Sequence, residues 1–217
     1  MSAVAANTDA ETIRVFIVRH GQTDHNVAKI LQGHLNTPLN STGRSQAKKA
    51  GKKFEHFQFD SIYSSDLTRC RDTAQLVVES LENPVDIKFT ELLRERNMGI
   101  MEGKYLHEAI AFAEMEGKNF RDYGEADHEF IQRIAKILNK ALTENKTKKN
   151  VLLVSHGGTI RSFLKILKYD NKDVSIYNTS VTVVDFNRHD FNIFEVKTVG
   201  DTKHLGEGVF KVDSRVR

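Results

Sequence analysis

Two histidines far apart in the chain share one setting. His20, in Arg19-His20-Gly21, and His156, in Ser155-His156-Gly157, each follow a short apolar run and precede a glycine. A neutral imidazole nitrogen is nucleophilic near neutral pH, which an unactivated hydroxyl is not. The glycines allow a sharp turn and close approach of the backbone to a ligand. Around His20 lie groups suited to an anion: Arg19, the amide of Asn26, Ser64, Ser65 and Arg69. The planar fork of arginine matches phosphoryl oxygens in two-point geometry. Glu95, between Arg94 and Arg96, supplies a carboxyl group. Nucleophile, anion clamp and proton donor together make the set that phosphoryl transfer to histidine requires. The chain contains no Walker loop, kinase signature or metal-ligand spacing.

The elements that must position these groups are legible in the pattern. Residues 13–18 (IRVFIV) and 151–154 (VLLV) read as buried parallel strands, so both histidines fall at carboxyl ends, where open α/β sheets bind ligands. Asn40 reads as the N-cap of a helix over 41–57, with Ala47, Ala50, Phe54 and Phe57 at helical spacing. Strands follow at 61–64 and 85–89, with a helix over 66–81 whose inner face carries Leu67, Ala74 and Val78. A helical stretch over 104–145 breaks near 117–124. After the 151–154 strand come a helix over 159–167 and a hairpin of strands 180–187 and 192–198. This order predicts an α/β fold of three layers: a mainly parallel central sheet, helices on both faces and a small helical cap. Residues 1–11 read as a disordered tail. Residues 12–217 read as one domain, with the cap inserted at about 104–130.

Composition sets the outer limits. The 217 residues include 32 Lys+Arg and 29 Asp+Glu, a formal charge of +3, too small to argue for nucleic acid. The lysine clusters at 48–53 and 146–149 read as solvated helix faces. No apolar run approaches the ~18 residues of a membrane span. The N-terminus lacks the basic start and apolar core of a signal peptide. The single cysteine, Cys70, excludes an internal disulfide and a cysteine-rich metal site. The expectation is a soluble protein of the cytoplasm, with the nucleus open, acting on a small phosphorylated metabolite without metal, cofactor, nucleic acid or membrane. Homo-oligomerisation stays open.

Five blocks then resemble one family in its own order. They are RHGQTDHN at 19–26 with LQGHLNTPLN at 31–40, SSDLTRCRDTA at 64–74, LLRERNMGIMEG at 92–103, VSHGGTIR at 154–161 and NTSVT at 178–182. Together they resemble the histidine phosphatase superfamily, the phosphoglycerate mutase-like fold, and its small fungal phosphatase branch, over about residues 13–200. The resemblance implies that His20 becomes phosphohistidine. It implies that Arg19, Arg69 and His156 surround the phosphoryl oxygens and that Asn26 hydrogen-bonds them. Gln32 and Gly33 would border the pocket, Gly33 through its backbone. Gly157 would donate a backbone N–H. Glu95 would protonate the leaving oxygen and then activate water, with Glu91 and Glu102 as nearby alternatives. Arg71, Arg94, Arg96 and Arg161 read as structural or surface residues, His25 as a rim residue, and His34, His107, His128 and His204 carry no partner signal.

Mutases of this superfamily carry a longer insertion with a paired-arginine segment that grips a substrate carboxylate. Residues 104–130 are short and contain Arg121 alone. A broad-specificity phosphatase is therefore favoured over a phosphoglycerate mutase. A non-catalytic phosphate-binding module is disfavoured, because the core set is intact.

Overall fold

The structure, a computed structural model, describes residues 4–170 and 175–206. A six-stranded sheet runs in the order β3-β2-β4-β1-β5-β6. The strands are β1 (Thr12–Arg19), β2 (Ser61–Ser65), β3 (Ile87–Thr90), β4 (Asn150–Ser155), β5 (Val181–Asn187) and β6 (Phe194–Asp201). The pairs β1/β4, β4/β2 and β2/β3 are parallel; β1/β5 and β5/β6 are antiparallel.

Both faces of the central strands are covered, which is why β1 and β4 read as continuous apolar runs rather than as alternating ones. Ile13, Val15 and Ile17 pack with Phe130, Ile134, Ile137 and Phe163. Those partners come from α5 (Asp127–Glu144) and α6 (Gly157–Ile166). Phe16 and Val18 face the other way, against Ala50, Phe54, Cys70, Ala74 and Val77. That layer is built by α2 (Ser41–Phe54) and α3 (Thr68–Val78). Val77, rather than the expected Val78, takes the fully buried position on α3. The three-layer expectation holds.

The cap is α4 (Leu106–Met115) with the 3-10 turn Phe120–Tyr123. Its small core of Leu31, Met101, Ala109, Ala113 and Phe120 is separate from the two main ones. It is joined to the loop beyond α1 (Asp24–Ala28) by a bridge between Ile30 and Tyr105. The cap therefore leans on the segment that follows His20.

One expectation is corrected. The stretch read as a disordered tail is anchored at Val4 and Asn7, while residues 8–11 are exposed. Val4 and Asn7 are buried, and the Asn7 N–H donates to Asn150 Oδ1 at 2.8 Å. Asn7 Nδ2 donates to the Thr12 carbonyl at 3.0 Å, and Arg14 Nη1 to the Ala5 carbonyl at 2.7 Å. The hydrogen bonds are polar, and the one from Asn7 to Asn150 spans 143 residues, so they leave no hydrophobic period in the sequence. The stretch beyond 206, with Arg215, lies outside the described residues. His204, just before it, meets Thr179 Oγ1 at 3.3 Å.

The start of α2 sits directly against the loop after His20. Asn40 caps the helix, its Oδ1 accepting from the Gly43 N–H at 2.8 Å. A Cβ on Gly43 would lie 2.1 Å from the Gln22 carbonyl oxygen and 2.6 Å from its nitrogen. Gly43→Ala must push residues 21–22 outward. The expected outcome is a loss of roughly 1–3 kcal/mol in urea unfolding. An unchanged urea midpoint would show that this contact does not hold the loop.

Candidate active site

The register of β1 on β4 sets the site. Arg19 stands opposite Ser155, so the next residues, His20 and His156, emerge side by side. The His20 N–H donates to the Ser155 carbonyl at 2.9 Å. The two imidazole centroids are 5.2 Å apart. From the other side, Asn178 Nδ2 and the Thr179 N–H both donate to the His20 carbonyl. Thr179 adopts a left-handed φ of 56° in making that turn.

His20 lines a cavity of about 320 Å³ at this end of the sheet, within the usual range for small-molecule sites. Its Nδ1 lies 2.7 Å from the Gly21 carbonyl oxygen. A carbonyl only accepts, so Nδ1 carries the proton and the Nε2 lone pair is left for attack. Burial, then Arg69, then Arg19, holds the His20 imidazole well below its ordinary pKa. It is neutral at neutral pH, as a nucleophile must be.

Two arginines flank it, both buried. Arg19 Nη1 donates to the Ile176 carbonyl at 2.7 Å. Burial, followed by Arg161, lowers its guanidinium to about 10, still charged at pH 7. Arg69 is held by the 33–37 loop: Nη2 donates to the Gly33 carbonyl at 2.8 Å and Nη1 to the Leu35 carbonyl at 2.7 Å. Gly33 thus takes part through its backbone carbonyl, at a φ of +46°. The Cys70 thiol beneath the site is pushed up to about 12 by burial, so it is no nucleophile.

His156 stands beside His20 and behind Arg69. It is fully buried and does not border the cavity. Arg69 Nε donates to its Nδ1 at 3.2 Å, and its Nε2 lies 2.9 Å from Ser65 Oγ. The nitrogen that receives the Arg69 proton cannot also donate, so Nε2–H donates to Ser65. His156 thus packs behind Arg69 and orients its guanidinium. Its own pKa is held well below the ordinary value by burial, then by Arg69. Ser64 and Ser65 lie behind the cavity rather than on its wall.

Of the three candidate carboxylates only Glu95 borders the cavity. Its Oε2 accepts from the Gly158 N–H at 2.9 Å and its Oε1 from the Arg96 N–H at 2.9 Å. The first contact places it at the N-terminus of α6. Glu91 pairs with Arg94 instead, and Glu102 accepts the N–H groups of His34 and Met98. The Glu95 carbonyl is held by His34 Nε2 at 2.9 Å and Arg133 Nη2 at 3.1 Å. His34 showed no signal in the sequence, yet it fixes the backbone of the acid.

Asn26, Gln32 and Gly157 all border the cavity, as expected. Asn26 Oδ1 accepts from the Thr23 N–H and from Asn178 Nδ2. Gln32 Oε1 accepts from the Thr23 and Thr37 hydroxyls. With both carbonyl oxygens committed, each amide presents its NH2 group as the remaining ligand for an anion. His25 is a rim residue. Two arginines assigned to structural or surface roles are corrected: Arg96 and Arg161 are on the cavity wall, with Arg121 and Lys29. Arg161 lies one turn after Gly157 on α6, and that i, i+4 spacing was the available signal. Arg94, paired with Asp66, and Arg71, over the Phe89 ring, are structural.

Residues 15–199 match the family profile described as Histidine phosphatase superfamily (branch 1). A broad-specificity phosphatase of Saccharomyces cerevisiae is 45% identical over 221 residues, covering 97% of this chain and 96% of its own. A solved phosphoglycerate mutase of Bacillus anthracis superposes with a TM-score of 0.79 at 26% identity, over 91% of this chain and 97% of that one. A mycobacterial glucosyl-3-phosphoglycerate phosphatase in complex with VO3 gives 0.67 at 28% identity, over 79% and 92%.

The two neutral histidines make a stability prediction. Both have folded-state pKa values below the ordinary 6.5. Below that pH the unfolded chain takes up protons that the folded chain refuses, so stability is full above about 6.5 and falls as the pH drops. The slope is up to about 1.4 kcal/mol per pH unit for each imidazole. Urea unfolding between pH 7.5 and 5 should show it, with a shallower slope in His156→Asn. Equal slopes in the two proteins would contradict the neutral His156.

Proposed function

The chain belongs to the histidine phosphatase superfamily and is a phosphatase, and we propose that it hydrolyses small phosphate monoesters of varied structure through a phosphohistidine on His20. The observation that carries this reading is the fixed tautomer of His20. Its Nδ1–H is spent on Gly21, which leaves Nε2 for attack, and His20 lines the cavity with Arg19 and Arg69.

In the first step His20 Nε2 forms a bond to phosphorus while the ester P–O bond breaks. The leaving oxygen takes a proton from the Glu95 carboxyl group. Charge spreads over the three phosphoryl oxygens in the transition state, and fixed cations stabilise it. Arg19 and Arg69 supply those cations, with the amides of Asn26 and Gln32 and the Gly157 N–H as further donors. In the second step Glu95 accepts a proton from water, water oxygen bonds to phosphorus, and the N–P bond breaks. Phosphate leaves, and both His20 and Glu95 return to their starting states. His156 acts as a positioning residue, holding the Arg69 guanidinium through Nε.

In the proposed steps two arginines supply the positive charge, and two amides and a backbone N–H supply further hydrogen-bond donors. Among the described residues no three His, Cys, Asp or Glu side chains group to hold a metal ion. No helix among them is long and apolar enough to cross a membrane. Breadth of specificity fits a cavity whose wall includes the apolar residues Ile30, Leu31, Met98 and Leu106. Such contacts discriminate weakly between substrates.

Phosphate release from p-nitrophenyl phosphate and 3-phosphoglycerate, with excess chelator, tests the proposal. Wild type should release phosphate from both, and His20→Ala should lose at least ~10³-fold in rate. Glu95→Gln should lose on the order of 10²–10⁴-fold. A folded wild type that releases nothing, but interconverts phosphoglycerates when primed with 2,3-bisphosphoglycerate, would replace the phosphatase by a mutase.

A further inference from the structure

The loop that carries Glu95 has no sheet or helix to hold it. Residues 94–98 belong to no such element, and the segment before them, Glu91–Leu93, is a single 3-10 turn. Carbonyl groups in a packed stretch of this kind need side-chain partners. Four consecutive carbonyls, Leu92 to Glu95, have them. The Leu93 carbonyl accepts from Ser155 Oγ at 2.7 Å, at the end of β4, and the Arg94 carbonyl from Thr159 Oγ1 at 2.9 Å, on α6. Arg133, on α5, meets three of the four. Its Nη1 donates to the Leu92 and Arg94 carbonyls, both at 3.0 Å, and its Nη2 to the Glu95 carbonyl at 3.1 Å.

Glu125 takes the other edge of the same guanidinium. Arg133 Nε donates to Glu125 Oε1 at 2.8 Å and Nη2 to Oε2 at 2.7 Å, in two-point geometry. Both side chains are mostly buried, with 16% and 14% exposure. Burial raises the Glu125 pKa, but the hydrogen bonds from Arg133 outweigh it and hold the carboxyl group below its ordinary range. The pair is therefore ionised at neutral pH, and the arginine fork is fixed in direction. Glu125 lies two residues beyond the cap turn Phe120–Tyr123. Its N–H donates to the Asn97 carbonyl at 2.8 Å, and its Oε2 accepts from the Asn97 N–H at 3.3 Å. A Cβ on Gly124 would strike the Asn97 carbonyl. The exit of the cap and the far end of the acid loop are thus one packed unit. Neither Arg133 nor Glu125 borders the cavity.

We propose that Arg133 and Glu125 are positioning residues for the acid: an ion pair that fixes the 92–95 backbone and so keeps the Glu95 carboxyl group within reach of the leaving oxygen. The inference rests on the phosphohistidine reading, in which Glu95 protonates that oxygen. The five N–H groups of Arg133 meet five acceptors, two on Glu125 and three on the loop. Lysine carries the same charge on one nitrogen and cannot span that set. Glu125 sets the direction of the fork. A displacement of ~1 Å in a positioned group can cost on the order of 10²-fold in rate. Here the loss falls on one step. An alkoxide is a strong base and needs a proton as it leaves, whereas p-nitrophenolate is a weak base and leaves without one.

The test compares kcat/KM for glycerol 3-phosphate with kcat/KM for p-nitrophenyl phosphate. This parameter covers the steps up to departure of the leaving group, so activation of water does not enter it. Arg133→Lys and Glu125→Gln should each lower the ratio of the first value to the second by ~10-fold or more. The ratio is taken within one protein sample, so partial unfolding cancels. Should Arg133→Lys fail to fold, Glu125→Gln, which keeps the arginine, carries the test. Glu95→Gln should lower the same ratio, and Arg133→Lys added to it should lower the ratio no further. A ratio that falls in Glu95→Gln but keeps its wild-type value in Arg133→Lys and Glu125→Gln overturns the positioning role and leaves the acid in place. A further ~10-fold fall in the double variant also overturns it, because Arg133 then acts by a route other than Glu95. A wild-type ratio in Glu95→Gln overturns the acid itself and the positioning role with it. Wild type that hydrolyses neither ester overturns the phosphatase reading and, with it, the inference.

Discussion

Everything in the site hangs on the parallel pairing of β1 with β4. Arg19 lies opposite Ser155, and a single backbone hydrogen bond, His20 N–H to the Ser155 carbonyl, carries that register past the end of the strands. A slip of one residue would turn every β1 side chain to the opposite face. Phe16 and Val18 would then face α5 and α6 in place of α2 and α3, and His20 would leave the cavity. The apolar content of both faces therefore does more than stabilise the sheet. It places two imidazoles with centroids 5.2 Å apart, on chain segments more than 130 residues apart.

The same closeness sets the chemistry. Two guanidinia and two imidazoles buried together cannot all be charged. The guanidinia keep their protons, because their unperturbed pKa is far above neutrality. The imidazoles give theirs up. Burial of the arginines is offset by carbonyl oxygens: Ile176 for Arg19, Gly33 and Leu35 for Arg69. Those carbonyls come from the turn before β5 and from the loop after α1. The loops that appear irregular are thus the second half of the anion clamp. Glu95 is set by the same logic, with its carboxyl group across the N-terminus of α6 and its backbone held by His34 and Arg133.

The sheet, its flanking helices and the residues of the reacting set were legible because they leave periodic or motif signals. Buried strands read as apolar runs, and His20, Arg69, Glu95 and the His156 block sit in five ordered segments. What escaped was of three kinds. Polar packing, as at Asn7 and His34, has no period, so a tail read as disordered and a histidine read as idle were both in contact. Pocket walls are solvent-facing by nature, so Arg96 and Arg161 looked like ordinary surface arginines until the fold turned them toward one cavity. The layer in which His156 stands was also beyond the pattern. Its type and place in the motif are plain, but its pairing with Arg69 and Ser65 depends on α3 lying beneath the cavity.

The central claim is that a neutral His20 takes the phosphoryl group covalently. It is tested most directly by mixing the enzyme with a phosphate monoester, quenching in alkali within the first turnover, and locating phosphate by mass spectrometry of the peptides. The account predicts a modification on His20 that is stable to alkali and lost in acid, absent from His20→Ala, and longer-lived in Glu95→Gln because water is no longer activated. Turnover with no modification on His20, in wild type or in Glu95→Gln, would contradict it and would assign the first attack on phosphorus to water.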